Sequence, residues 1–308
     1  MAKIFIDGSS GTTGLRIYER LSLRDDIELI SLSEETRRNT EARLDAIRRA
    51  DIAFLCLPDE AAAETVRLAS DLDTVIIDTS TAHRTHEEWE YGFPELSGRR
   101  QRIANSKRIA NPGCHASGFI ALVTPLTETG VLRDGAPLSC FSLTGYSGGG
   151  KKMIAEYEAE ERSALLDAPR QYGLTQHHKH LKEMVKISGI DKAPVFCPIV
   201  APYYSGMEVT VTLFADDLRC GIEELKSIYR DYYKNGLVSY RDGDEDGFLS
   251  AGALAGRDDM YITVSGNDER ILLISRFDNL GKGASGSAIQ NMNILLGLDE
   301  TTGLNIEN

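Results

Sequence analysis

An apolar stretch, Lys3 to Ile6, runs straight into Asp7-Gly8-Ser9-Ser10-Gly11-Thr12-Thr13-Gly14, and Leu15, Tyr18 and Leu21 follow at helical spacing. A strand, a glycine turn and a helix in that order leave few options. Glycines spaced G-x-x-G-x-x-G let the backbone turn tightly and approach a ligand closely. The helix that opens behind them presents unpaired N–H groups, which suit a pyrophosphate. A tight turn without a ligand is the plainer alternative, and the chain beyond argues against it. Ile27 to Leu32 reads as a strand, Thr40 to Ala50 as a helix, and Asp51 to Leu57 as a strand ended by Pro58. Asp59 to Asp71 then reads as a helix and Val75 to Asp78 as a strand. Short apolar strands alternating with helices predict an α/β fold, a Rossmann-type doubly wound parallel sheet.

The pattern changes near residue 114. Leu138–Thr144, Val195–Val200, Met207–Phe214, Met260–Ser265 and Ile271–Phe277 are longer and more alternating. They predict a second, α+β domain carrying a largely antiparallel sheet. Ala284 to Leu296 closes the pattern with a helix. The domains expected are 1–114 and 115–283, with 284–308 following.

A chain of 308 residues with a net charge of −13 has length for two cores and little basic surface for nucleic acid or anionic membrane. No apolar run is long enough to span a bilayer. The five cysteines, Cys56, Cys114, Cys140, Cys197 and Cys220, are odd in number and form no CxxC pair. That usage fits free thiols in a reducing cytoplasm.

Cys114 stands apart from the others. It lies in Ile109-Ala110-Asn111-Pro112-Gly113-Cys114-His115-Ala116-Ser117-Gly118, where Pro and Gly force a turn before an amphipathic segment with Phe119, Ile120, Leu122 and Val123. At the first turn of a helix, open N–H groups and the dipole favour a thiolate, the form that attacks carbonyl carbon. The same N–H groups suit an oxyanion. The other cysteines read as small buried hydrophobes. Three of the six histidines crowd into Gln176-His177-His178-Lys179-His180-Leu181-Lys182-Glu183. On a helix His180 and Glu183 share a face, so the carboxylate can orient the imidazole. A metal site lacks further ligands, so none is expected. His115, next to Cys114, is expected to point to another helix face and to stay out of the chemistry.

Anion-binding candidates follow. Arg84 lies off the end of the Val75–Asp78 strand, and Ser147-Gly148-Gly149-Gly150-Lys151-Lys152 is a backbone-rich turn with two cations. After the second strand, Ser33 with Arg37 fits a 2′-phosphate while Glu34 fits a ribose diol. NADP and NAD both stay open, with the serine–arginine pair favouring NADP.

The stretches GSSGTTG (Gly8–Gly14), LCLPDEAA (Leu55–Ala62), DTSTAHR (Asp78–Arg84), YGFPEL (Tyr91–Leu96), ANPGCHASG (Ala110–Gly118), TGYSGGGKKM (Thr144–Met153), HKHLKE (His178–Glu183), PIVAPYYSGM (Pro198–Met207) and DNLGKGASGSAIQNMN (Asp278–Asn293) span nearly the whole chain. In this order they resemble the N-acetyl-gamma-glutamyl-phosphate reductase family, short-chain type, the arginine-pathway branch of the semialdehyde dehydrogenase superfamily. The resemblance implies that Cys114 attacks an acyl phosphate, and that the resulting thioester is reduced by NADPH to N-acetylglutamate semialdehyde. It implies His180, with His178 second, as the acid–base group. It places NADP against Gly8, Ser10, Gly11, Thr12, Thr13, Gly14, Ser33, Arg37, Pro58, Ser80 and Asn279. Substrate or phosphate is placed against Arg84, Asn111, Tyr146, Ser147, Gly148 and Glu183. It further implies that the last helix completes the nucleotide domain, and that the second domain serves catalysis and homo-oligomerisation as a dimer or tetramer. Two departures stand out: Ala82-His83 replaces an Asp-Phe pair before the arginine of longer relatives, and Leu181-Lys182 lacks the proline usual before the glutamate.

Other functions remain to be separated. The Asn111-Pro112-Gly113-Cys114 turn argues against a sister reductase of aspartyl phosphate, and one of amino-adipyl phosphate differs in substrate only. A non-catalytic NADP-binding redox regulator would transfer no hydride, and a metal-dependent hydrolase using the histidines would carry metal.

Overall fold

The computed structural model describes residues 1–243 and 246–307. Contacts divide the chain into two units. One is Met1–Pro112 with Ala284–Leu304; the other is Gly113–Gly283 with the chain from Asn305 on.

The first unit carries strands β1 (Ala2–Asp7), β2 (Ile27–Ile30), β3 (Ile52–Leu55), β4 (Val75–Asp78), β5 (Glu90–Tyr91) and β6 (Arg108–Ala110). They form one parallel sheet in the order β2-β1-β3-β4-β6-β5. Helices α1 (Thr12–Leu21), α2 (Thr40–Arg49), α3 (Asp59–Leu68) and α4 (Arg99–Ala104) connect the strands. Both faces of the sheet are covered, which is why its strands read as unbroken apolar runs. Alternate residues go to opposite sides. Ile4, Ile6, Ile52, Phe54 and Ile77 pack with Ile17 and Leu21 of α1, Ile103 of α4, and Ala288, Ile289 and Met292 of the helix Gly286–Leu295. Phe5, Ala53, Leu55 and Ile76 pack with Ala46 and Ile47 of α2 and Ala69 beyond α3. The sheet is therefore doubly wound.

The stripe that α1 buries is Gly14, Ile17 and Leu21. Leu15 and Tyr18, expected on that face, are exposed. Gly14 carries no side chain to count as apolar, so the spacing of large residues points to the wrong side.

The second unit opens with α5 (Cys114–Glu128) and continues through β7 (Ser139–Gly145), α6 (Gly150–Glu158), β8 (Arg170–Gln171), α7 (His180–Ser188), β9 (Val195–Ala201), β10 (Met207–Phe214), α8 (Ile222–Tyr232), β11 (Val238–Tyr240), β12 (Met260–Gly266) and β13 (Arg270–Phe277). A single π turn, Gly281–Ser285, leads into α9, the helix Gly286–Leu295 of the first unit. The sheet runs β11-β12-β13-β10-β7-β9-β8. Its four pairs β12–β13, β13–β10, β10–β7 and β9–β8 are antiparallel, while β11–β12 and β7–β9 are parallel.

Register puts Cys140, Ser142, Phe196, Val209, Val211, Leu273 and Ser275 on one face. Helix α5 lies against that face so closely that a Cβ on Gly118 would come within 2.5 Å of Val209 Cγ2. Nearly every residue of α5 from His115 to Leu126 is buried, so the helix is not amphipathic as its apolar positions suggested; it is enclosed all round. The opposite face presents Phe141, Val195 and Leu272, at 42%, 60% and 38% exposure.

Candidate active site

In the first unit, strand order reverses between β1 and β3, the place where doubly wound sheets open a crevice at their carboxyl ends. The turn Gly8–Gly14 leaves β1 there. Gly8 has φ +84°, and a Cβ on it would run into the carbonyl oxygen of Cys56 at the end of β3. A Cβ on Gly14 would meet the carbonyl oxygen of Gly8. Gly11 is the N-cap of α1 and supplies no side-chain acceptor, and Thr12 and Thr13 begin the helix. At Gly8 and Gly14 the turn thus has no room for a side chain, and it offers backbone N–H groups, which fits a pyrophosphate.

Beside it lies a cavity of about 530 Å³ lined by residues that include Gly8, Ser10, Tyr18, Leu32, Glu34, Arg37, Arg38 and Arg43. Arg37 lies 3.5 Å from Glu34, so the acidic and basic signals of the sequence face each other. Ser33 does not line the cavity; its hydroxyl bonds Thr36 Oγ1 at 2.9 Å. Arg43 is engaged by Asp7 at 2.6 Å. Pro58 is the N-cap of α3.

After β4, Ser80 donates through N and Oγ to Asp78, whose carboxylate also holds His83 Nδ1 at 2.6 Å. The His83 ring stacks on Trp89 at 4.2 Å. His83 is therefore a buried strut. Arg84 Nε donates to the Asn111 carbonyl at 2.9 Å, and its Nη2 to the Thr79 carbonyl at 3.0 Å. The Asn111 amide in turn donates to Ala284 O at 3.0 Å.

In the second unit, Cys114 is the first residue of α5, half-buried, with Gly113 as N-cap. A Cβ on Gly283 would sit 3.0 Å from Cys114 Cβ, so the segment after β13 comes right up to the thiol-bearing residue. Helix α7 packs along α5 and begins at His180. The Leu181-Lys182 pair leaves His180 and Glu183 on one face, with His180 Nε2 3.7 Å from Glu183 Oε1. Glu183 Oε2 accepts the Gly113 N–H at 3.2 Å. His178 stands beside His180 with ring centroids 4.8 Å apart, and its Nδ1 accepts the His180 N–H at 3.3 Å. Burial, with the Lys179 charge added, lowers the His178 pKa. His177 is exposed.

His115, expected to stay out of the chemistry, turns into the same histidine cluster. Its ring lies 5.5 Å from His180 and 6.0 Å from His178. Ser142 Oγ meets its Nδ1 and Tyr172 Oη its Nε2, each at 2.7 Å. Burial, and then His178, drive the His115 pKa down to about 3. Tyr172 was not singled out from the sequence; it follows a two-residue strand and belongs to no motif. Burial and the Cys114 charge raise its pKa.

Tyr146, Ser147 and Gly148 form a short 3₁₀ turn after β7. Asn279 is its strut: Nδ2 donates to Ser147 Oγ at 3.0 Å, and Oδ1 accepts the Gly206 N–H at 3.0 Å. Among the described residues no group of three His, Cys, Asp or Glu side chains is placed to hold a metal, and no helix is long and apolar enough to cross a membrane. A thiol at a helix N-terminus whose Gly113 cap is bonded by the carboxylate that also neighbours His180 is equipped for covalent acyl chemistry.

Two family models match the chain in turn. "Semialdehyde dehydrogenase, NAD binding domain" matches residues 3–106, and "Semialdehyde dehydrogenase, dimerisation domain" matches residues 114–279. Among known proteins, N-acetyl-gamma-glutamyl-phosphate reductase 2 of Nostoc sp. is 43% identical over 98% of this chain and 99% of its own. The N-acetyl-gamma-glutamyl-phosphate reductase of Brucella anthropi is 46% identical over 96% and 98%. Among solved structures, aspartate semialdehyde dehydrogenase II of Vibrio cholerae, complexed with ASA, superposes with a TM-score of 0.72 at 16% identity, covering 96% of this chain and 98% of that one. The aspartate semialdehyde dehydrogenase of Candida albicans with NADP gives 0.69 at 17%, covering 96% and 98%. At those identities the likeness is one of fold. Full-length identity above 40%, with both domain models in order, shows that the chain belongs to the N-acetyl-gamma-glutamyl-phosphate reductase family of semialdehyde dehydrogenases, which are nicotinamide-dependent oxidoreductases.

Proposed function

We propose that this chain reduces N-acetyl-L-glutamyl 5-phosphate to N-acetyl-L-glutamate 5-semialdehyde and phosphate, a step of arginine biosynthesis, with NADPH as reductant. The observation that carries the reading is Cys114 at the start of α5, with Glu183 joining that helix start to His180. The Cys114 thiolate attacks the acyl carbon; a C–S bond forms, the C–O bond to phosphate breaks, and phosphate leaves. Backbone N–H groups at the helix start stabilise the oxyanion. His180, steered by Glu183 and flanked by His178, moves the proton between solvent and the sulfur–oxygen centre. When bound, the nicotinamide supplies the hydride that reduces the thioester. Collapse of the resulting tetrahedral centre returns the thiolate and frees the semialdehyde.

Gly8 to Gly14, Pro58 and Ser80 hold the coenzyme, joined by Ser33, Arg37 and Asn279. Two arginines, Arg37 and Arg38, in the cavity beside the glycine turn support NADP over NAD. Arg84, Asn111, Tyr146, Ser147, Gly148 and Glu183 serve the anionic substrate. The apolar residues on the open face of the second unit's sheet support a homo-oligomer. Five free thiols support a cytoplasmic location.

The test runs the reaction backward. N-acetylglutamate semialdehyde and phosphate are given with NADP or NAD to the native protein and to Cys114→Ser, alongside aspartate and amino-adipate semialdehydes. The expected result is turnover with NADP and the acetylated substrate, lost in the variant by about 4–6 kcal/mol of barrier. Turnover that survives in Cys114→Ser, or a preference for another semialdehyde, would overturn the reading.

A further inference from the structure

The cavity beside the glycine turn holds an arginine that the fold itself fixes in place. Arg43 lies in the first turn of α2. Its side chain is 18% exposed and reaches back to Asp7, the last residue of β1 and the neighbour of Gly8. Nε and Nη2 donate to Asp7 Oδ2 at 2.8 and 2.6 Å, and Nη2 donates again to Thr65 Oγ1 of α3 at 2.7 Å. The Thr65 hydroxyl gives its own hydrogen to Ala61 O at 2.8 Å, so towards Arg43 it accepts. Asp7 is buried, where a lone carboxylate is costly. Burial raises its pKa, and the Arg43 guanidinium acts against the rise. Residues of β1, α2 and α3 thus meet at one guanidinium.

Those bonds use the Nε hydrogen and both hydrogens of Nη2. The hydrogens on Nη1 bond nothing among the described residues, and Nη1 is not buried. Arg43 lines the cavity of about 530 Å³, as Asp7 does, and Nη1 is the nitrogen it has left to present there. We propose that Arg43 is a coenzyme-binding residue, giving its Nη1 hydrogens to a phosphate oxygen of the dinucleotide. The inference rests on the reading of this cavity as the coenzyme site.

Arg37 and Arg38 also line the cavity, on the exposed stretch between β2 and α2. Arg37 is 45% exposed, with Glu34 3.5 Å away. Each must give up side-chain freedom to hold a ligand, whereas Arg43 has already given it up to Asp7 and Thr65. Asp7 offsets part of the Arg43 charge. What the residue contributes is therefore a directed pair of N–H groups more than net attraction. The phosphate oxygen has two sources. The pyrophosphate is common to NADP and NAD, and the 2′-phosphate belongs to NADP.

The experiment measures dissociation constants for NADP and for NAD by calorimetric titration of the whole chain, without acyl substrate. Arg43→Gln alone would strand Asp7 without its cation, so the variant used is Asp7→Asn/Arg43→Gln, which leaves a neutral hydrogen-bonded pair. The expected result is NADP binding weakened about tenfold. Equal weakening of NAD assigns the pyrophosphate, and an unchanged NAD constant assigns the 2′-phosphate. Asp7→Asn alone keeps the guanidinium and lifts the offsetting charge, so NADP should bind it at least as tightly as the native chain. Should the double variant melt far below the native chain, Arg43→Lys takes its place: it keeps the ion pair, has no second nitrogen to spare, and should also weaken NADP. A folded variant that binds NADP within about threefold of the native chain overturns the proposal. So does Asp7→Asn weakened as far as the double variant, since the pair is then only a strut for the glycine turn. A native chain that binds neither dinucleotide sinks the coenzyme reading itself. Native binding with unaffected variants sinks this proposal alone.

Discussion

Glu183 reaches from α7 to accept the backbone N–H of Gly113, the residue just before Cys114, at 3.2 Å. Its other oxygen lies 3.7 Å from His180 Nε2. One buried carboxylate thus ties the helix that carries the thiol to the helix that carries the imidazole. Glu183→Gln keeps an acceptor for Gly113 and removes the charge that steers His180. Activity is expected to fall roughly 100-fold with little change in melting temperature. Glu183→Ala should lower both. A melting temperature that collapses equally in the two variants would show the charge to be structural.

The φ of +84° at Gly8 and the carbonyl of Cys56 behind it leave this position no room for a side chain. Gly8→Ala is expected to cost about 1–3 kcal/mol of stability and to weaken NADP binding, read by chemical denaturation and by quenching of protein fluorescence. Thr12→Ala, at the start of α1, should leave stability within about 0.5 kcal/mol.

His115 gives the protein a sensitivity to acid. Its folded pKa is about 3 against an ordinary 6.5. Between those values the unfolded chain binds a proton that the folded chain refuses, so stability is complete above 6.5 and falls as pH drops. The expected slope is up to about 1.4 kcal/mol per pH unit from this group. His178, also lowered, adds in the same direction. Urea titrations at pH 7, 6 and 5 should show the slope, and His115→Gln should flatten it. An identical slope in that variant would assign the effect elsewhere.

Phe141 sits at 42% exposure on the uncovered face of the second unit's sheet, with Leu272 and Val195 on the same face. Phe141→Arg is expected to lower the sedimentation mass to that of a single chain. Native protein that already sediments as one chain would remove the homo-oligomer from the proposal.

Much of this was legible in the sequence, because the signals are local. Val75–Asp78 and Met207–Phe214 match their strands residue for residue, and Cys114 begins its helix where the Pro-Gly turn requires. His180 and Glu183 share a face because i and i+3 always do on a helix. What stayed hidden depends on partners distant in sequence. Tyr172 meets His115 across 57 positions, and Ser142 meets it across 27. Nothing in the spacing of those residues records either pairing. Leu15 and Tyr18 misled because size is not burial: a glycine at position 14 takes the inner face of α1. Asn279 lies in a recognisable motif, but only coordinates reveal it as the strut under Ser147.

The helix Gly286–Leu295 lends Ala288, Ile289 and Met292 to a core begun by Ile4 and Ile6. During synthesis those strands emerge from the ribosome long before the helix exists, so one side of the parallel sheet waits bare while the whole second unit is made. A premature stop anywhere before residue 286 would therefore leave a sticky, unfinished nucleotide domain, and chaperones would have the most to guard at the beginning of the chain.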